Sequence, residues 1–240
     1  MLAVLQGIIL TMLYSRTPDS FIINLNDKED DFLFATERYD RKILDTSKEL
    51  MGKKVPLRLH QEDFAQALGI TASQKYEKNG KDYLADVFEL IKNYSSNPIE
   101  DQIRLWDLCI FNYLIGNTDN HVKNIALLYS EDLKGIRLAP AYDLLSTVIY
   151  DSSTEKMSLN IDGEYDIRNI NQKSFENEAK KLGLGKGIAT QHFLSMVEKF
   201  EMALEQSTYE LEEQGYGVAV DIQKQILKKA GIHNFKLTNP

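Results

Sequence analysis

The sequence predicts an α+β fold, with a small β-containing N-terminal part followed by a larger, mainly α-helical part that carries one inserted β-hairpin. Three observations predict it. Two short runs rich in β-branched and aromatic residues, 21–25 and 32–36, flank a polar stretch at 26–31 and read as a hairpin. From His60 onward, apolar residues recur mostly at helical spacing. The apolar run 108–115 is interrupted by Gly116-Asn117-Thr118-Asp119-Asn120-His121-Val122-Lys123-Asn124 before a second apolar run at 125–129. A hydrophobic element broken to present polar groups is the pattern of a functional loop on a rigid scaffold.

Each element has its own justification. Leu2, Leu5, Ile9, Met12 and Leu13 keep helical spacing, so residues 2–15 read as a buried helix ended by Arg16-Thr17-Pro18. That stretch is shorter than the ~20 apolar residues a membrane span needs, and it lacks the basic start of a signal peptide. After the hairpin, residues 37–41 turn sharply polar. Residues 42–58 carry scattered charges and read as a loop or a further short hairpin, with 55–59 an edge strand at best. Residues 62–68 read as a short helix with acids in its first turn and Gly69 just past its end. A polar turn at 71–81 leads to a helix over 83–94, marked by Leu84, Val87, Phe88, Leu90 and Ile91 and broken by Ser95-Ser96-Asn97-Pro98. The long helix 99–115 runs into the polar loop. Strands at 125–129 and 136–143 flank a turn at 131–135, and the second carries Asp143 at its far end. Residues 152–170 show no clear period. Helices follow at 172–182, 190–206 and 207–230, the last interrupted at Gly215-Tyr216-Gly217.

Composition narrows the function. Hydrophobic residues at 43% predict a substantial core, and a net charge of -8 disfavours direct nucleic-acid binding as the main role. Cys109 is the single cysteine and sits in an apolar run, which excludes an intrachain disulfide, reads as a small core residue and fits the cytoplasm. Trp106 likewise reads as core. The four histidines are scattered, which disfavours zinc. Gly183-Leu184-Gly185-Lys186-Gly187 lacks phosphate-loop spacing and follows a helix, so it reads as a helix C-cap. The lysines at 224–229 read as a solvated helix face, and the hydroxyls at 146–154 as a polar loop.

Asp119 and Asn124 lie five residues apart, Lys123 precedes Asn124, and Asp143 ends the following hairpin. One carboxylate free to accept a hydroxyl proton, with an amide oxygen and a second carboxylate on a hard cation, is what phosphoryl transfer needs. The hairpin between the acids is expected to set them side by side. A solvated Asx-rich turn and a site that binds only a divalent cation remain open on the residues alone.

The motifs carry a resemblance. Residues 111–124 (Phe-Asn-Tyr-Leu-Ile-Gly-Asn-Thr-Asp-Asn-His-Val-Lys-Asn) resemble the catalytic loop of the HipA family of toxin kinases. Residues 138–146 (Leu-Ala-Pro-Ala-Tyr-Asp-Leu-Leu-Ser) are similar to its metal-binding segment, the counterpart of Asp-Phe-Gly. Glu37-Arg38-Tyr39-Asp40-Arg41 is similar to its hinge, and residues 58–69 to the helix after the hinge. The resemblance implies a protein-kinase-like fold. Residues 1–40 would be a partial N-lobe with the hinge at 37–41, and residues 42–240 an α-helical C-lobe. It implies an ATP- and Mg²⁺-dependent serine/threonine kinase, the toxin of a toxin–antitoxin pair. Its partner would be a HipB-like, DNA-binding antitoxin, and its protein substrate an aminoacyl-tRNA synthetase. Asp119 would be the catalytic base, with Lys123 near the transferred phosphate and Asn124 and Asp143 as Mg²⁺ ligands. Glu37 and Tyr39 would lie at the adenine, with His121 on the cofactor side as part of the loop scaffold. The family's Gly-rich phosphate loop and ATP-anchoring lysine would fall before Met1. The expectation is therefore a truncated or split kinase, with a partner chain supplying the missing N-lobe, or an inactive relative serving as a binding module.

Overall fold

The computed structural model describes residues 17–24, 32–78 and 80–236, so the helix expected at 2–15 and the turn expected at 26–31 lie outside the described residues. The expected N-terminal hairpin is present: β1 (Ser20–Asn24) and β2 (Phe32–Thr36) pair antiparallel, with Phe21 opposite Ala35 and Ile23 opposite Leu33. Four short strands follow, β3 (Arg41–Lys42), β4 (Glu49–Leu50), β5 (Lys53–Lys54) and β6 (Leu57–Arg58). β3 pairs with β6 around the inner pair β4–β5. The strand expected at 55–59 is reduced to two residues, because Pro56 has no N–H to give a ladder.

The helix expected over 62–68 begins later. Gln61–Asp63 form a strand, β7, paired with β8 (Ala126–Tyr129), which in turn pairs with β9 (Ile136–Leu138). Only Phe64–Ala67 is helical (α1). Pairing with β8 overrides the local acidic pattern. Asp63 becomes the helix N-cap, accepting from Gln66 N–H at 2.8 Å while Gln66 Oε1 accepts from Asp63 N–H at 3.0 Å.

Helix α2 (Tyr83–Tyr94) stands as predicted, capped by Asp82, whose carboxylate accepts from Ala85 N–H at 3.0 Å. Pro98 does more than break it: it is the first residue of α3 (Pro98–Ile115), where a missing N–H goes unnoticed. From Arg104 to Ile115 every residue of α3 is buried, and a helix buried all round is the centre of a core. Trp106 belongs to that core, its indole donating to Ala189 O at 3.1 Å. So does Cys109, whose thiol burial pushes far above its usual range.

Beyond β9 lies a hairpin that periodicity alone did not predict, β10 (Lys156–Ile161) with β11 (Glu164–Asp166). Its turn residues Asp162 and Gly163 have φ of 57° and 80°, the conformation that matches the right-handed twist of the strands. Helices α4 (Gln172–Lys181), α5 (Lys186–Glu213), α6 (Val218–Lys229) and α7 (His233–Lys236) complete the chain. The boundary expected at Ser207 does not exist. Ser207 and Thr208 donate their hydroxyls to Ala203 O and Leu204 O, both at 2.8 Å, and α5 continues through them. Gly183, with φ 73°, caps α4 by donating its N–H to Lys180 O at 3.2 Å. Among the described residues no helix is long and apolar enough to cross a membrane.

One buried carboxylate joins the helical part to the three-stranded sheet. Asp101, fully buried in the first turn of α3, accepts from Ser95 Oγ (2.6 Å), Arg104 (3.0 Å), Arg137 Nε and Nη2 (both 3.0 Å) and Leu138 N–H (2.9 Å). Arg104 also donates to Leu138 O at 3.1 Å and Ala139 O at 3.4 Å. Burial works against the charged form of Asp101, but the bonds from Arg137, Ser95 and Leu138 outweigh it and hold the carboxyl below its ordinary 3.8. The stability it confers is therefore present above pH 3.8 and lost as pH falls through the lower folded value. Asp101→Ala should cost about 3–5 kcal/mol in urea unfolding, because it leaves buried arginine donors without a partner. Asp101→Asn should remove this residue's share of the acid limb in a plot of melting temperature against pH; an unchanged limb would show that the carboxylate is not ionised in the core.

Candidate active site

The polar loop is shaped by how α3 ends. Gly116 turns out of the helix with φ 72°, and a side chain there would place Cβ at 2.3 Å from Val148 Cγ1. The following residues are bonded to the stretch 142–148. Asn117 Nδ2 donates to Asn112 Oδ1 at 2.8 Å and to Asp143 O at 3.1 Å. Thr118 N–H donates to Thr147 Oγ1 at 2.7 Å, and Val148 N–H to Gly116 O at 3.0 Å. Tyr142 closes the far side by donating its phenol to Lys123 O at 2.8 Å, and Ser158 on β10 donates to Thr118 O at 2.7 Å.

Asp119 and Asn124 come together. Asn124 Nδ2 donates to the Asp119 main-chain oxygen at 3.1 Å, which leaves the Asn124 side-chain oxygen as the group a hard cation could use. The Asp119 carboxylate is half-buried and accepts from the Tyr76 phenol at 2.9 Å. Lys123 Nζ lies 3.4 Å from Asp63 Oδ2, so the N-cap of α1 also holds the loop cation. His121 is buried, its ring edge-on to Tyr76 with centroids 5.4 Å apart. Burial, then the Lys75 charge, lowers its pKa against the pull of Asp119 and Asp143. Its burial and its contact with Tyr76 make His121 part of the loop's packing.

Asp143 is reached differently from the expectation. β9 ends at Leu138, not at Asp143, because Pro140 offers no N–H and Arg104 takes the carbonyls of Leu138 and Ala139. Asp143 itself sits in an irregular segment with φ 55°. It lines a cavity of about 450 Å³ whose walls also include Phe34, Glu37 and Tyr39. The rings of Tyr39 and Tyr142, both in its wall, stack on each other with centroids 6.3 Å apart. Burial, then the Asp40 charge, pushes the Tyr39 phenol up to about 12. Asp40 fixes this polar segment: its buried carboxylate takes two bonds from Arg38 at 2.7 and 2.8 Å, which hold it below its ordinary pKa, and Arg41 is also bonded to it. Glu37 N–H is already donated to Asp19 O at 2.8 Å, so its carbonyl is the main-chain group left for a ligand.

Asp119 opens onto a second cavity, of about 740 Å³, lined by Tyr76, Glu77, Thr147, Tyr150 and Lys156 among others. Leu145 lines both cavities. Asp119 and Asp143 line different cavities that share Leu145, and Asn117 bridges their segments. Tyr76 and Asp63 were given no site role, although Asp63 left a trace in the capping pattern Asp63-Phe64-Ala65-Gln66; Asn117 and Thr147 lay in stretches already read as polar loops, without a task of their own. Among the described residues no three His, Cys, Asp or Glu side chains cluster as a metal site. A divalent ion here would rest on Asn124 Oδ1 and the Asp143 carboxylate, both hard oxygen donors, together with oxygens brought by its ligand.

The fold is protein-kinase-like, and comparison with known proteins agrees. The profile of the HipA-like C-terminal domain matches residues 10–206, and the chain belongs to that family. It is 36% identical over 164 residues to Y4mE of Sinorhizobium fredii, covering 68% of this chain and 37% of that protein. It is 28% identical over 181 residues to the serine/threonine-protein kinase toxin HipA of Shewanella oneidensis, covering 71% and 40%. The chain thus spans about two fifths of the length of these curated relatives. In structure it is similar to a chain of the Shewanella oneidensis MR-1 complex of HipA, HipB and operator DNA, with TM-score 0.78 at 21% identity over 95% of this chain and 54% of that one. It is also similar to the Helicobacter pylori proinflammatory kinase CtkA, with TM-score 0.53 at 15% identity over 99% and 86%.

Gly116→Ala should destabilise the chain by about 2 kcal/mol or more, from left-handed backbone strain and the Val148 overlap together. Chemical denaturation measures it; a neutral outcome would mean that the helix exit is not pinned as described.

Proposed function

We propose that this chain is the nucleotide-binding and catalytic part of a HipA-type serine/threonine protein kinase. The observation that carries the reading is the 450 Å³ cavity lined by Glu37, Tyr39 and Asp143, adjoining at Leu145 the space onto which Asp119 opens. ATP with Mg²⁺, when bound, supplies the phosphoryl group and neutralises its charge. The chain's own residues position and deprotonate. Phe34, Tyr39, Leu144 and Leu145 offer an apolar slot for adenine, and the Glu37 carbonyl an acceptor for an amino group. Asn124 and Asp143 hold the cation. Asp119 accepts the proton of the attacking hydroxyl, and Lys123, released from Asp63, meets the transferred phosphate. Residues 1–40 then act as part of the N-lobe and residues 42–240 as the C-lobe.

The role in the cell follows the relatives. The Shewanella oneidensis complex contains HipB and operator DNA, which supports a HipB-like antitoxin as partner and a toxin role; the cytoplasm is the location that goes with this reading. The acceptor is a protein hydroxyl, with aminoacyl-tRNA synthetases the first candidates to assay. The net charge of -8 supports contact with DNA through the partner and not directly.

Calorimetry should detect ATP binding in the presence of Mg²⁺, weakened at least tenfold by Asp143→Ala through loss of the cation ligand. Asp119→Ala should leave that binding intact and lower phosphoryl transfer by about 10²–10⁴-fold, the usual contribution of a general base. Absence of binding at millimolar ATP would leave the chain a non-catalytic relative.

A further inference from the structure

Tyr76 stands out because the kinase reading gives it no task. It lies in the turn between α1 and α2 and is 46% exposed, yet its ring is held from several directions. The phenol donates to Asp119 Oδ1 at 2.9 Å, the ring meets His121 edge-on, and Lys75 Nζ lies 4.7 Å from the ring centroid. The next residue anchors the turn. Glu77 N–H donates to Ser158 O at 3.3 Å, and its carboxylate accepts from Tyr83 N–H at 2.5 Å and Asn160 N–H at 2.8 Å. The turn is therefore tied to both α2 and β10, and Tyr76 is presented to Asp119 from the wall of the second cavity.

We propose that Tyr76 is a positioning residue for Asp119: its phenol holds one carboxylate oxygen so that the other is left to accept the acceptor's proton. The inference rests on the kinase reading. A hydrogen bond to an ionised carboxylate is short and directional, and it limits rotation of the group about its last torsion. A base that must meet an incoming hydroxyl within hydrogen-bond reach gains from that restriction, since small misplacements are costly in rate. Tyr76 touches no part of the 450 Å³ cavity, so its effect belongs to the transfer step and not to nucleotide affinity.

The test uses the full chain as wild type, Tyr76→Phe, Asp119→Asn and the double variant. Transfer from radiolabelled ATP–Mg²⁺ is followed to water and to the chain's own hydroxyls, and urea unfolding is measured alongside. Tyr76→Phe should lower kcat by roughly tenfold to a hundredfold with KM for ATP unchanged, and should have no further effect once Asp119 is Asn. The two substitutions should also be non-additive in urea. Unchanged kcat in Tyr76→Phe, with Asp119→Asn inactive, would overturn the role of Tyr76 and leave the kinase reading standing. A raised KM for ATP at unchanged kcat, or additive effects in urea, would overturn it as well. Equal rates for wild type and Asp119→Asn would sink the kinase reading and this proposal together.

Discussion

The Asp101 carboxylate is the constraint from which both site segments take their positions. It has no solvent and five protein donors, and those donors come from the start of α3, from the turn before it and from β9. One end of this network fixes the register of the helix that delivers the polar loop. The other fixes the strand from which the chain runs on to Asp143. Some 15 residues further along α3, Asn117 and Thr147 tie the same two segments again. Two attachments, one at each end of a buried helix, make the relative placement of Asp119 and Asp143 a property of the core and not of the loops.

On the proposed reading, the two cavities divide the chemistry between them. Asp143, Glu37 and Tyr39 face one, and Asp119 faces the other. A reaction between two bound molecules needs such an arrangement, because donor and acceptor must arrive from different sides at one point. Leu145, common to both walls, marks where the spaces meet. Several polar groups in and around these walls are engaged in holding others: Asn117, Thr147 and Ser158 bond backbone or neighbouring hydroxyls, and Asp40 takes its bonds from arginines.

Much of this was legible from residues. The N-terminal hairpin, α2, α3 and the β8–β9 pair follow from apolar periodicity, and the loop announced itself by interrupting an apolar run. What could not be read was set by partners distant in sequence. Glu62 and Asp63 look like the first turn of a helix, but they lie in a strand because β8 pairs with them. Ser207 looks like a boundary, but its hydroxyl finds a carbonyl inside α5. The β10–β11 hairpin was legible and overlooked: Asp162-Gly163 is a strong hairpin signal whatever the period of its flanks. Asp119, Asn124 and Asp143 are singled out by motif spacing, whereas Tyr76, 43 residues from Asp119 in sequence, lies beyond any local signal.

Asp143 has a left-handed backbone at φ 55°, a conformation that glycine adopts freely and a residue with a Cβ adopts at a cost. Drift under selection for stability alone would therefore favour glycine or asparagine at this position. Retention of an acid there measures how strongly its carboxylate is needed. Across natural variants of this chain, the identity of residue 143 becomes a record of whether a lineage still uses the site or has let it lapse.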